Sequence, residues 1–265
     1  MPTLDAAAAA ALLDDLTAVA ARAADAIRNC TGSGAVHRKP DGSPVTAADE
    51  TAEAVICEAL ERLAPQLPII SEERAARQTP ILPAGKGASY FLVDPLDGTR
   101  EFIAGRNEYT INIAIMAEGT PLLGVICAPA LGGIWRGIVG GSADRITGAP
   151  NSPPTPIRVR KRPQGETIIM VSRSHLEART QAYVDGFPQA KLAPSGSAIK
   201  FCRVAEGSAD LYPRLAPTHD WDVAAGHAIV KAAGGDVAAP DGSPLRYGTP
   251  GLLIPGFIAT GAVTA

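Results

Sequence analysis

Four apolar runs, at residues 90–93, 109–116, 122–128 and 133–139, follow one another with short polar breaks between the last three. Runs of this length, bounded by turn residues, are strands, and Glu118-Gly119-Thr120-Pro121 has the composition of a hairpin connection. The strands at 109–116 and 122–128 are expected as a hairpin, and the strand at 133–139 extends it into a meander. Two helical segments precede the meander. Residues 4–29 have helix-forming composition and are ended by Thr31-Gly32-Ser33-Gly34. Residues 47–63 carry an apolar stripe of Val55, Ile56, Ala59, Leu60 and Leu63, and Pro65 stops them. Between the two lies a polar loop, 38–44, and after them a short strand, 67–70, delivers Ser71-Glu72-Glu73. Residues 79–87 read as a Pro/Gly-rich surface loop.

The Gly-, Ser- and Pro-rich stretch 140–156 predicts a boundary between two halves, residues 1–150 and 151–265. Beyond it, strands at 168–171 and 191–192 alternate with helices after Ser174, at 198–205 and at 221–233, the last ended by Gly234-Gly235. The first half is expected to be α+β with an antiparallel sheet, the second α/β. The apolar tail 251–265 is expected as an edge strand or loop.

The chain has 265 residues, 46% of them hydrophobic, which is enough for a large core. Its formal net charge of -3 gives no basic face for a nucleic-acid polymer, so an anionic substrate needs local positive charge. The N-terminus lacks the basic region of a secretory signal, and no apolar stretch approaches the roughly 20 residues of a membrane span. The expected location is cytoplasmic, with peripheral attachment to the inner membrane left open. Cys30, Cys57, Cys127 and Cys202 are scattered and read as reduced thiols. His37, His219 and His227 show no metal-ligand spacing, and no nucleophile elbow, Walker A loop or dinucleotide fingerprint is present.

The chemistry lies in Asp94-Pro95-Leu96-Asp97-Gly98-Thr99. Asp94 closes an apolar strand, Pro95 forces an extended exit, and Asp97 follows with the Leu96 carbonyl between the two carboxylates. Hard oxygen donors of this kind suit Mg²⁺. Gly98 and Thr99 then open a short helix whose first amides can receive a phosphate oxygen. Taken alone, the run is also an ordinary capped turn. Two further acidic groups at element ends favour a metal site: Glu72-Glu73, and Asp220-Trp221-Asp222. Asp49 has two readings. It can close a capping box with Thr46, or it can accept the Thr99 hydroxyl so that Thr99 takes a proton from attacking water.

The Asp94 to Thr99 run, with Ser71-Glu72-Glu73 before it and Trp221-Asp222-Val223-Ala224-Ala225-Gly226 after it, resembles the inositol monophosphatase superfamily. The resemblance extends from Ser43-Pro44-Val45-Thr46 to Gly234-Gly235 and implies an αβαβα sandwich with its site between the halves. Simple inositol monophosphatases usually read D-G-T-x-N-F, whereas this chain has Thr99-Arg100-Glu101-Phe102-Ile103; Arg100 keeps the charge of a lysine common in relatives. Ser172-Arg173-Ser174-His175, the segment Gly196 to Cys202, Val204-Ala205-Glu206-Gly207 and Leu211-Tyr212-Pro213-Arg214 look like those of CysQ-type 3'(2'),5'-bisphosphate nucleotidases.

That resemblance implies removal of the 3'-phosphate from adenosine 3',5'-bisphosphate, giving AMP, in support of sulfur assimilation, with the sulfated nucleotide as a further substrate. It implies two or three Mg²⁺ ions held by Glu72, Asp94, the Leu96 carbonyl, Asp97 and Asp222, with Asp94 bridging two of them. It implies Thr99 and Asp49 as the water-activating pair, with Glu72 and Asp94 counted among the catalytic residues. Gly98, Thr99, His175, Ser197, Lys200, Arg214 and Asp222 are the implied substrate contacts, Lys200 and Arg214 being counter-charges for the second phosphate. The alternatives are a sugar or inositol monophosphatase with the same metals, or a catalytically dead binding relative. Monomer and homodimer are both compatible with the sequence.

Overall fold

The computed structural model describes residues 4–30, 36–39, 42–80, 82, 88–161, 166–174 and 176–262. The meander forms a seven-stranded sheet in the order Ile69–Ser71, Tyr90–Asp97, Thr110–Ala117, Thr120–Ala128, Gly133–Ile138, Ala143–Thr147 and Thr155–Ile157. All neighbours are antiparallel except the first pair. Period-two alternation splits the central strands between two cores. Phe91, Val93, Ile111, Ile113, Leu123 and Val125 face helices α1 (Ala6–Asn29) and α2 (Ala47–Leu63). Leu92, Ala114, Met116, Ile126 and Trp135 face the other way.

Two short helices follow on this half, α3 (Glu72–Arg77) and α4 (Thr99–Ile103). The second sheet has five strands in the order Lys191–Ser195, Ile168–Ser172, Leu211–Arg214, Phe257–Thr260 and Asp236–Ala238. Helix α5 (Ala178–Asp185) covers one of its faces through Val184, packed with Ile169, Val171 and Leu211. Helices α6 (Ile199–Ala205) and α7 (Asp220–Ala232) fill the space between the two sheets. The layers are therefore helix, sheet, helix, sheet, helix, the expected αβαβα sandwich.

Three local readings change. Residues 140–156, expected as a Gly-, Ser- and Pro-rich boundary, extend the first sheet by two strands, the second of which is its edge, because Ala143 and Ile146 find buried places. The tail is not an edge: Phe257–Thr260 pairs on both sides and buries Phe257 and Ala259. The strand expected to end at Asp94 continues to Asp97, and its register slips between those residues. A bulge at that point tolerates the donor that Pro95 lacks. The Thr31 to Gly34 cluster lies outside the described residues.

Helix α7 is nearly fully buried and approaches both neighbours closely. A Cβ added to Gly124 of the first sheet would lie 2.2 Å from the Ala225 carbonyl oxygen, and one added to Gly226 would lie 2.3 Å from the Phe201 ring. The first obstacle is backbone and cannot rotate away. Gly124→Ala is expected to lower stability by about 1–3 kcal/mol, as overpacking does, read as a lower denaturant midpoint than that of the parent chain.

Candidate metal centre

Alternation along the second strand puts Asp94 on the same face as Leu92, toward α7. Asp94 is 1% exposed, and one of its oxygens, Oδ1, accepts the Leu96 amide at 3.0 Å. Asp222 stands in the first turn of α7. Its Oδ2 accepts the His219 amide at 3.0 Å and the Thr218 hydroxyl, so the helix terminus orients it. Glu72 opens α3, whose start is fixed from α2. There Glu53 Oε1 accepts the Ser71 hydroxyl, and the Arg74 amide at 3.0 Å.

These three elements bring one carboxylate oxygen each from Glu72, Asp94 and Asp222 within 4.8 Å of one another. Burial pushes Glu72 up to about 8, with Lys39 opposing and Asp222 reinforcing the rise. Burial likewise pushes Asp94 well above the usual carboxylate range, and Glu72, Asp97 and Asp222 add to it. A set of oxygen donors whose ionised forms repel one another in a buried site fits a hard divalent cation, which removes both costs.

Asp97 and Leu96 stand beside this trio and outside it. Asp97 Oδ2 accepts the Ala198 amide at 2.6 Å, while burial, then Asp222, pushes its carboxyl up to about 6. The Leu96 carbonyl lies 3.2 Å from the Thr99 hydroxyl oxygen, which is also 2.9 Å from Asp49 Oδ1. The capping box and the Thr99 contact of Asp49 coexist, one on each oxygen. Oδ2 accepts the Thr46 amide at 2.8 Å and the Thr46 hydroxyl at 2.6 Å, while Oδ1 receives Thr99.

Glu72, Asp94, Asp97, Asp222, Gly98, Thr99, Ser197, Lys200 and Arg214 line one cavity of about 240 Å³. The cavity is closed on one side by the turn before α6, where Ser197 has φ +46° and packs over Gly98. Lys200 is 2% exposed, and its Nζ donates to the Ser195 carbonyl at 3.3 Å and to the Ser197 carbonyl. Burial pulls its amine down to about 8, against the attraction of Asp97. Arg214 donates through Nη2 to the Pro217 carbonyl at 3.4 Å, and its buried Nε has no hydrogen-bond partner. Neither cation forms an ion pair among the described residues. His175 lies outside the described residues.

Two features at the site were not singled out from the sequence. Lys39 Nζ is 2.6 Å from both Glu72 Oε1 and Glu73 Oε1, in a side chain only 7% exposed. Burial pulls Lys39 down, but the two carboxylates outweigh it and hold the amine above the usual lysine range. The only sequence signal was a lysine in a polar loop, with partners 33 and 34 residues away. Glu108 is the second. It accepts Arg173 Nε at 2.8 Å and Nη2 at 2.7 Å, and its Oε2 takes the Gly196 amide at 3.0 Å. This ties the cavity-closing turn to the loop that leads into the strand Thr110–Ala117.

Comparison with known proteins agrees with this arrangement. The model of the inositol monophosphatase family matches residues 4–263. The chain is 40% identical to the 3'(2'),5'-bisphosphate nucleotidase CysQ of Shigella flexneri, over 93% of this chain and 98% of that one. It is 39% identical to the protein of the same name from Escherichia coli K12, with the same coverage. Among solved structures, CysQ from Bacteroides thetaiotaomicron, a bacterial member of the inositol monophosphatase family, superposes with a TM-score of 0.76 at 33% identity, covering 92% of this chain and 94% of that one. An inositol monophosphatase from Anabaena gives 0.75 at 26% identity, covering 95% and 91%. With the layered fold, the acidic trio and nearly full-length similarity in agreement, the chain belongs to the inositol monophosphatase family and is of its CysQ type.

Proposed function

We propose that this protein is a Mg²⁺-dependent phosphomonoesterase that removes the 3'-phosphate of adenosine 3',5'-bisphosphate, leaving AMP, and that also accepts the sulfated nucleotide. The observation that carries the substrate is the pair Lys200 and Arg214. Lys200 is buried and Arg214 half-buried, and neither has a carboxylate partner among the described residues on the wall of the cavity that holds the acidic trio. An inositol monophosphate has one phosphate for the metal end and nothing for these two. A bisphosphate has a second anion for them.

Glu72, Asp94, the Leu96 carbonyl, Asp97 and Asp222 would hold the cations, two or three in number. When bound, Mg²⁺ supplies Lewis-acid charge for the attacking water and the leaving oxygen. The chain's own residues do the rest. Thr99 gives its hydroxyl proton to Asp49 Oδ1, which leaves an Oγ1 lone pair to accept a proton from the attacking water. Thr46 holds Asp49 through the other oxygen, so the acceptor cannot turn away. Gly98 and Thr99 border the scissile phosphate, Ser197 adds a neutral donor, and Asp222 completes the substrate-facing set among the described residues; His175 remains a contact by resemblance alone. Residues 1–150 thus supply most cation ligands, and residues 151–265 supply the second-phosphate contacts and Asp222.

Phosphate release from adenosine 3',5'-bisphosphate and from inositol 1-phosphate, at equal enzyme, tests the assignment. The nucleotide is expected to be hydrolysed faster, and a chelator is expected to abolish turnover. Preference for the inositol ester would overturn the nucleotidase reading, and absence of any Mg²⁺-stimulated turnover would overturn the enzymatic one. Arg214→Ala is expected to raise KM for the bisphosphate roughly tenfold or more, the size of a lost charge-assisted hydrogen bond. Turnover of 3'-AMP, which lacks the second phosphate, should change far less. The raised carboxylates give a pH signature. In the metal-free chain Glu72 titrates at about 8 rather than 4.5, so the folded state holds more protons than the unfolded one between those values. Metal-free stability should therefore fall as pH rises through that window. Saturating Mg²⁺ should flatten the trend, as read from melting temperatures at pH 5, 6.5 and 8.

A further inference from the structure

Besides Asp97, assigned above to the cation ligands, one carboxylate on the cavity wall belongs neither to the acidic trio nor to an ion pair among the described residues. Glu101 lies on α4, two positions after Thr99, and is 5% exposed. Its stem packs under the cavity-closing turn, since a Cβ on Gly196 would sit 2.8 Å from Glu101 Cγ. It lines the cavity together with Ser172, Ser197 and Lys200. One oxygen, Oε1, accepts the Ser174 hydroxyl at 2.6 Å. Oε2 has no protein donor among the described residues, and it is absent from the buried polar atoms that lack a partner.

A carboxylate in this position is a liability for a site that binds phosphate, because like charges repel. It is compatible with turnover only where the substrate presents a donor. In a phosphate ester of a polyol, the donor nearest the scissile bond is the hydroxyl on the adjacent carbon. Glu101 lines the same cavity as Thr99, which stands two residues before it on α4 and borders the scissile phosphate in the proposed function. Ser174 holds one oxygen of the Glu101 carboxylate. We propose that Glu101 is a specificity residue that accepts a hydrogen bond from the hydroxyl vicinal to the scissile phosphoester. For a 3'-phosphorylated nucleotide this is the ribose 2'-hydroxyl, an identification that rests on the nucleotidase reading. The consequence is selection for ribo- over deoxyribonucleotides, since a site that hydrogen-bonds a hydroxyl rejects the analogue without it.

The test compares kcat/KM for adenosine 3',5'-bisphosphate and its 2'-deoxy counterpart in the wild-type enzyme, Glu101→Gln and Glu101→Ala, all with Mg²⁺. The wild type is expected to favour the ribonucleotide by roughly tenfold or more, as for a hydrogen bond to a charged acceptor. That ratio should fall toward one in Glu101→Ala and take an intermediate value in Glu101→Gln, which keeps the volume and the Ser174 contact. A purely structural role for Glu101 would lower both rates together and leave the ratio intact. An unchanged ratio in the variants, or no discrimination by the wild type, overturns the proposal. If Glu101→Ala does not fold, Glu101→Gln decides the matter. If the wild type hydrolyses inositol 1-phosphate and neither nucleotide, the nucleotidase reading fails by itself. Glu101 is then decided by the same ratio on inositol 1-phosphate and its deoxy analogues at the flanking carbons.

Discussion

Glu72, Asp94 and Asp222 come from three separate elements and meet where their negative charges are least tolerated. Nothing in the packing relieves this fully. Lys39 engages Glu72 from one side, yet its amine is shared with Glu73. The carboxylates stay in place because each is anchored through its own backbone or its neighbour's. Asp94 holds the Leu96 amide, Asp222 caps α7, and Glu53 pins the turn that presents Glu72. The energy stored in that crowding comes from the cores on either side, and a divalent cation would recover it.

The helix that carries Asp222 is also the central layer of the sandwich, so the site and the fold share one dependence. Helix α7 sits close to the first sheet because Gly124 leaves room for its backbone, and close to α6 because Gly226 leaves room for Phe201. Bulkier residues there would move Asp222 relative to Asp94. The turn that closes the cavity depends on the same seam. Asp97 and Glu108 of the first half receive the Ala198 and Gly196 amides of the second, and Lys200 draws in the Ser195 and Ser197 carbonyls.

What was legible in the sequence follows from how local each signal is. The meander, α1, α2 and α7 announce themselves through continuous apolar patterning. The Asp94 to Thr99 run is legible because a bulged strand and a helix start are compressed into six residues. Asp49 had two readings because one carboxylate has two oxygens, and the structure uses both. The strand at Ala143–Thr147 and the central place of Phe257–Thr260 were hidden, since short apolar segments among glycines and prolines read as loops or edges until neighbouring strands supply their hydrogen bonds. Lys39 and the Glu108–Arg173 pair were hidden for another reason. A surface-type charge finds its partner, and in the case of Lys39 its burial, only through contacts across distant sequence, and no local pattern encodes them.

On the proposed function, the cavity has separate places for the two ends of an anionic substrate. Its acidic end is suited to a cation and, through that cation, to one phosphate. Its opposite character, in Lys200 and Arg214, is suited to an anion directly, with no intermediary. Glu101 belongs to neither end. A carboxylate on the same cavity wall as Lys200 would ordinarily be expected to pair with it, but Lys200 gives two of its three donors to the Ser195 and Ser197 carbonyls, and Glu101 takes a serine hydroxyl. Both charges are thereby kept available to the cavity rather than cancelled. An arrangement that holds a buried anion and a buried cation apart costs stability, and that cost makes sense where the substrate itself carries a donor for one and an anion for the other.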